Sequence, residues 1–178
     1  ISDVDTGELL SIADGNLYDA QILGIRKGEK GNPGELSGLI RYEAGNILGE
    51  ISENRKNGIF GTMEASQLKN MNLEKVPIGY KQDLKTGPAS VFCCTDGEVK
   101  EYAAEITRID LNHEDSNKSF VIQITDKELL EKTGGIVQGM SGSPVLQNGK
   151  LFGAVTHVFV QDSTSGYGIF IENMMDVA

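Results

Sequence analysis

The run "GIVQGMSGSPVLQNGKLFGAVTHVFV" at residues 135–160 contains the strongest structural signals in the sequence. Ser141 stands between two glycines, and two apolar stretches separated by Asn148-Gly149 follow it. An Asn-Gly pair between alternating apolar residues is the strongest short-range signal for a β-hairpin. The run therefore predicts a tight glycine turn that presents a serine, followed directly by a pair of antiparallel strands.

Short strands joined by tight turns are predicted along the rest of the chain. Glycine accounts for 22 of the 178 residues, whereas aromatic residues make up only 6%. Hairpin turns are predicted at "DG" (residues 14–15) and at "TDG" (residues 95–97), each between strand-like stretches. The run "SFVIQITD" predicts a further strand by its alternation. One face of that strand is expected to carry Phe120, Ile122 and Ile124.

Only one helix is clearly indicated, at "TDKELLEKTGG" (residues 125–135). Thr125 or Asp126 is suited to cap its start, Glu128 lies in its first turn, and Gly134 is suited to end it. The sequence thus predicts one all-β domain over residues 1–178, with about a dozen strands and one short helix before the serine turn. A sandwich or a double barrel accommodates that number of strands.

Composition excludes several classes of function. The net charge of −10 argues against a nucleic-acid-binding protein, because such proteins need a basic surface. No apolar run approaches the roughly 20 residues that a membrane-spanning helix requires. Neither a His/Cys cluster with metal-ligand spacing nor a phosphate-binding loop is present, so no metal or organic cofactor is predicted.

The two cysteines, Cys93 and Cys94, are adjacent. Neighbouring side chains on a strand point to opposite faces, which disfavours a disulfide between them. We interpret them as buried strand residues. A cysteine nucleophile is the alternative, and it predicts that thiol reagents abolish activity while a serine variant keeps it.

A serine that performs acyl transfer needs an exposed hydroxyl beside backbone N–H groups that stabilise an oxyanion. Glycines permit the close approach and the positive φ that such a turn requires. The amides of Gly139 and Ser141 have the spacing of the oxyanion donors in trypsin-like enzymes. The strand pair that follows also matches the hairpin after the nucleophile of chymotrypsin-like barrels. An ordinary glycine-serine loop is the alternative interpretation.

Partners for this serine are less clear from the residues alone. Asp126 is suited to orient a histidine, although a helix cap is the simpler role for it. His113 lies in the polar run "DLNHEDSNKS", which is typical of a solvated loop. His157, on the strand predicted to run beside the serine turn, either faces a cleft or is an ordinary strand histidine. A trypsin-type base would precede the serine by a longer distance, so residues 1–178 are expected to lack it.

Extended stretches resemble one known family. The run "EKTGGIVQGMSGSPVLQNGKLFGAVTHVFVQDSTSGYGIFIENM" (residues 131–174) is similar to the C-terminal signature of the stage IV sporulation protein B serine peptidases. Earlier stretches are similar too: "ISDVDTGELL" (1–10), "KGNPGEL" (30–36), "NGIFGTM" (57–63) and "KTGPAS" (85–90). The resemblance therefore covers essentially the whole chain.

This resemblance implies a fold and an activity. Members of the family are serine endopeptidases with a chymotrypsin-like double β-barrel. They are secreted from the forespore into the space between the forespore and mother-cell membranes. There they cleave a membrane-bound regulatory protein, which releases an intramembrane protease and leads to sigma-factor activation, and they also cleave themselves. Their N-terminal membrane anchor and PDZ domain have no counterpart in these residues.

The resemblance also assigns roles to positions. The family nucleophile falls on Ser141 and its supporting aspartate on Asp126, while the family histidine lies just before the segment that matches Ile1. Without that imidazole, the serine loses its base, so this chain alone is expected to be inactive. A peptide substrate is expected to bind as an extended strand beside Thr156, His157 and Val158. The alternatives are a non-catalytic β-barrel binding module and an inactive fragment of the peptidase.

Overall fold

The computed structural model describes residues 14–71, 73–112 and 116–175 and contains eleven strands and three α-helices. The strands are β1 (Gly15–Tyr18), β2 (Ala20–Arg26), β3 (Glu35–Ile40), β4 (Ile47–Arg55), β5 (Gly58–Met63), β6 (Gly87–Cys94), β7 (Val99–Ile109), β8 (Phe120–Ile124), β9 (Pro144–Gln147), β10 (Lys150–Phe159) and β11 (Asp162–Phe170). The helices are α1 (Ala65–Asn70), α2 (Lys127–Thr133) and α3 (Ile171–Met175). The fold is therefore mostly β, as predicted, and α2 is the short helix predicted before the serine turn, whereas α1 and α3 were not predicted.

The C-terminal half of the chain closes into an antiparallel barrel. Its strands follow the order β10-β11-β8-β7-β6-β9, and β9 pairs back with β10. Alternate residues of each strand point into the barrel, as the period of two requires. Ile106, Ile122, Val91 and Val145 are fully buried there. Burial of each such side chain stabilises the fold by about 1.5–3 kcal/mol.

The N-terminal strands form two smaller sheets. One has the order β1-β4-β5, and the other is the antiparallel hairpin β2-β3. Among the described residues these strands close no second barrel, so the double-barrel architecture stays a prediction. The hairpin predicted at residues 14–15 needs a preceding strand that lies outside the described residues, so it stays a prediction. Gly15 begins β1 and pairs with Ile51 of β4, a partner that lies too far along the chain for a local turn motif to reveal it.

Several local predictions are confirmed. Phe120, Ile122 and Ile124 of β8 are all buried in the core. The β6-β7 hairpin turns through residues 95–98. The β9-β10 hairpin turns at Asn148 and Gly149, which have φ angles of 51° and 72°. Two successive positive φ angles give a turn whose twist matches that of the strands, which explains the Asn-Gly pair.

Candidate active site

The serine turn is fixed to strand β10 by its backbone. The Gly142 amide donates to the Val155 carbonyl at 2.8 Å, and the Val155 amide donates to the Ser143 carbonyl at 3.0 Å. Gly139 and Gly142 have φ angles of 98° and 91°, a region that favours glycine. Met140, between Gly139 and Ser141, is 1% exposed and anchors the turn in the core. The turn is therefore held rigidly beside β10.

The Ser141 hydroxyl is half-buried and donates a hydrogen bond to the Thr156 carbonyl at 2.9 Å. The β10-β11 register shifts between Val155 and His157, so Thr156 stands at a β-bulge. A bulge disrupts the ladder locally, and here the Thr156 carbonyl accepts the hydrogen bond of the serine hydroxyl. The serine proton is thus held by a main-chain carbonyl in this structure.

Two backbone amides beside that hydroxyl are open. Along the turn, the amides of Gln138, Met140, Gly142 and Ser143 all donate to carbonyl groups. By contrast, the described part of the chain offers no hydrogen-bond acceptor to the amides of Gly139 and Ser141. Unpaired donors two residues apart, next to a hydroxyl, are suited to stabilise a developing oxyanion.

Asp126 caps helix α2. Its Oδ1 accepts a hydrogen bond from the Leu129 amide at 3.0 Å, and its Oδ2 accepts one from the Ala103 amide at 3.4 Å. Gly134 ends the helix with a φ of 73°, as the sequence predicts. No hydrogen bond of the described residues joins Asp126 to Ser141.

Cys93 lies near both Asp126 and Ser141. Burial raises the pKa of the Cys93 thiol to about 11, and the nearby Cys94 and Asp126 add to the rise. Cys93 also lines the groove into which Ser141 opens. The carboxylate therefore lies close enough for its charge to affect a residue of the serine groove. A thiol with this pKa stays protonated at neutral pH, which argues against Cys93 as a nucleophile.

The groove at Ser141 has a volume of about 1100 Å³. Its walls come from the serine turn, the end of β6, the β9-β10 hairpin and the extended segment 73–77. Most side chains that line it are apolar, among them Leu73, Val76, Phe92, Val99, Leu146 and Leu151. It is wide enough for a peptide segment with apolar side chains.

Strand β10, which is predicted to bind the substrate, has one edge available for a peptide. β9 pairs with β10 only as far as Ala154, and β11 covers the other edge at His157 and Val158. Beyond Ala154 the first edge carries the serine turn and then no further strand among the described residues. Thr156 is buried, and its hydroxyl donates to the Asn117 carbonyl at 2.7 Å.

The structure does not place His157 as a base for Ser141. His157 is exposed on β10, and no described hydrogen bond connects its ring with the serine. His113 lies outside the described residues. Within the described ranges no group of His, Cys, Asp and Glu side chains is suited to hold a metal ion. No helix in those ranges is both long and apolar enough to cross a membrane.

The sequence does not indicate that the connection between β2 and β3 supports the site. The Gly28 amide donates to the Thr133 carbonyl at 2.8 Å, and the Gly31 amide donates to the Val160 carbonyl at 2.8 Å. This glycine-rich connection thus binds both the end of α2 and the β10-β11 turn. The stretch "KGNPGEL" is rich in glycine and resembles the family, but neither feature indicates which residues it contacts.

The fold and the site define an all-β protein whose closed barrel presents a serine hydroxyl beside two open amides. A family model described as SpoIVB peptidase S55 matches residues 1–175. The chain belongs to the SpoIVB peptidase S55 family. Comparison with curated proteins gives no significant match.

Proposed function

We propose that this chain is the catalytic domain of a serine endopeptidase with Ser141 as its nucleophile. The observation that carries the proposal is the pair of open amides, Gly139 and Ser141, on either side of a buried anchor residue and next to a half-buried hydroxyl. Family membership supports a peptidase independently. A peptidase acts on protein substrates, and the apolar groove at Ser141 provides room for one.

The chemistry follows from the positions of these groups. An imidazole takes the proton of the Ser141 hydroxyl, which in this structure donates a hydrogen bond to the Thr156 carbonyl, and the serine oxygen attacks the scissile carbonyl. The carbonyl oxygen becomes negative and accepts hydrogen bonds from the Gly139 and Ser141 amides. The imidazole then returns the proton to the leaving amine. Loss of one such donor commonly lowers kcat by about 10²–10³.

The general base and its orienting acid complete the proposal. Family resemblance supports a histidine from residues upstream of Ile1 as the base, and no described hydrogen bond joins the exposed His157 ring to Ser141. Asp126 orients that imidazole. A carboxylate has about four acceptor positions, so its bonds to the Leu129 and Ala103 amides leave capacity for a third partner.

Substrate recognition uses the edge of β10 and the adjoining groove. The peptide adds as an extended strand at Thr156, His157 and Val158, where β9 has ended. Family resemblance supports a membrane-bound regulator of an intramembrane protease as the substrate, self-cleavage, and action in the space between forespore and mother cell. It likewise supports an assignment of the N-terminal sheets to the first barrel of a chymotrypsin-like pair.

A fluorophosphonate probe tests the proposal on a protein that also carries about twenty residues upstream of Ile1. Such probes phosphonylate activated serines. We expect labelling of the parent protein, no labelling of Ser141→Ala, and full labelling of Ser143→Ala. Ser143 is the matched control because it lies in the same turn. A folded parent protein that stays unlabelled would favour the non-catalytic binding module.

A further inference from the structure

The peptide unit between Gln138 and Gly139 is held from outside the barrel, by strand β3. The Gln138 carbonyl accepts a hydrogen bond from the Leu36 amide at 2.8 Å, and the Gln138 amide donates to the Gly34 carbonyl at 2.9 Å. Glu35 and Gln138 form an isolated parallel bridge at this point. Gly34 and Leu36, from the N-terminal half of the chain, thus hold Gln138 by hydrogen bonds, and Gln138 directly precedes the open amide of Gly139.

The hydrogen bond from Leu36 to the Gln138 carbonyl determines where the Gly139 N–H points. A trans peptide is planar, and its C=O and N–H groups point in opposite directions. With the Gln138 carbonyl directed at Leu36, the Gly139 N–H must point away from β3, where no described acceptor meets it. Glycine with a φ of 98° has neighbouring conformations open to it, so nothing in Gly139 itself fixes this orientation.

The Leu36 side chain adds a second restraint. A Cβ atom placed on Gly139 would lie 3.1 Å from the Leu36 Cβ and 3.4 Å from its Cδ1, so this side chain packs closely over the glycine. Leu36 is partly buried against the hydrophobic core. Its backbone and side chain therefore act on the same peptide unit, one by a hydrogen bond and the other by contact.

We infer that Leu36 is a positioning residue of the oxyanion hole: its amide and side chain hold the 138–139 peptide so that the Gly139 N–H faces the substrate. The inference rests on the proposed function, because it concerns the reaction at Ser141. The oxyanion donor is then assembled from both halves of the chain. The β2-β3 hairpin is part of the active site although it carries no group that touches the substrate.

An amide-to-ester replacement at position 36 tests this inference in the full-length enzyme. The α-hydroxy analogue of leucine keeps the side chain, removes the N–H donor and weakens the preceding carbonyl as an acceptor, an effect that the control ester shares. The same replacement at Leu39 is the matched control, because Leu39 lies on the same strand and pairs with Gln21 on the opposite strand. A neutral hydrogen bond changes an equilibrium by a factor of about 2–10.

At position 36 we expect kcat for a peptide substrate to fall about fivefold or more, with KM within about twofold. A selective loss of kcat indicates weaker stabilisation of the transition state, which damage to the substrate groove would not produce. The Leu39 ester is expected to keep both constants. Unchanged kcat at position 36, or equal losses at both positions, would overturn the inference.

A measurement independent of catalysis separates this inference from the proposed function. Residual dipolar couplings report the direction of the Gly139 N–H bond in the folded protein. We expect the Leu36 ester to change that coupling and the Leu39 ester to leave it unaltered. If the parent protein shows no Ser141-dependent hydrolysis, the proposed function fails, and this coupling alone decides the inference. A coupling unaffected by the Leu36 ester would contradict it.

Discussion

Ser141, Asp126 and Cys93 show how three neighbouring polar groups differ once they are folded. The serine hydroxyl donates a hydrogen bond to a main-chain carbonyl, the aspartate accepts hydrogen bonds from two amides, and burial keeps the thiol protonated at neutral pH. Only the serine combines a hydroxyl with open amides at its side. The properties of these residues therefore favour Ser141 over Cys93 as the nucleophile.

Asp126 is expected to serve both helix and site, and two substitutions separate the roles. Asp126→Ala removes the cap of α2 and should lower the free energy of unfolding by about 1 kcal/mol. Asp126→Asn keeps a capping oxygen but loses the charge that stabilises an imidazolium. Because Asn keeps only one acceptor oxygen, we expect its urea midpoint to lie between those of the parent and the Ala variant, with kcat reduced by about 10³ or more in the full-length enzyme. Parental kcat in the Asn variant would exclude Asp126 from the triad.

Cys93 should react slowly with iodoacetamide over a wide pH range. Alkylation requires the thiolate, and burial raises the pKa of this thiol from 9.0 to about 11. The folded protein therefore holds the neutral form until the pH rises towards that value, above the range in which an ordinary cysteine ionises. Mass spectrometry of alkylated peptides gives the pH profile. A midpoint near 9 in the folded protein would contradict the buried, neutral thiol.

At the scale of elements, α2 is connected to the β6-β7 turn by ion pairs. The Asp96 Oδ2 lies 2.8 Å from the Nζ atoms of both Lys100 and Lys132. The Lys132 Nζ also lies 2.8 Å from the Glu128 Oε1. These hydrogen bonds hold the pKa of the Asp96 carboxyl well below its usual range. Because its folded pKa is depressed, Asp96 contributes stability at neutral pH that is lost as the pH falls through that lower range.

Asp96→Asn should therefore lower the urea midpoint slightly at low salt and neutral pH. The pairs are exposed, so the effect should be small, and it should vanish in 1 M salt, where charges are screened within about 3 Å. Glu98→Gln is the control, since Glu98 lies in the same turn and none of the described ion pairs includes it. A loss that persists at high salt would show that the turn is stabilised by something other than charge.

The elements that carry the site were largely predictable from the sequence, because their signals are local. Asp126 and Gly134 indicate the ends of α2. The pair Asn148-Gly149 indicates the β9-β10 hairpin, and Gly139 with Ser141 indicates the serine turn. The contact of Leu36 with Gln138 was not predictable. It is formed between backbone groups about a hundred positions apart, and backbone hydrogen bonds leave no characteristic side chain in the sequence.

At the scale of the whole molecule, the two halves of the chain meet through glycines. The β2-β3 connection reaches α2, the serine turn and the β10-β11 turn by backbone hydrogen bonds of Gly28, Gly31 and Gly34. A Cβ on Gly34 would lie 2.3 Å from the Arg26 carbonyl oxygen, which leaves no room for a side chain. Composition could predict many turns but not that this one joins the halves.

Gly34→Ala should accordingly lower the free energy of unfolding by about 2 kcal/mol or more, because backbone atoms must move to accept the methyl group. Gly38→Ala is the matched control on the same hairpin, since a Cβ there would lie 3.6 Å from the Gln21 carbonyl oxygen, an ordinary contact. Urea denaturation of both variants measures the difference. Equal stability of the two variants would contradict the close fit at Gly34.

The most direct measurement of the central claim is a crystal structure of the full-length enzyme after reaction with a peptidyl trifluoromethyl ketone. The account predicts a covalent bond from the Ser141 Oγ to the ketone carbon. The resulting oxyanion should lie within about 3.1 Å of both the Gly139 and Ser141 amide nitrogens. An adduct on another residue, or an oxyanion directed away from both amides, would contradict it.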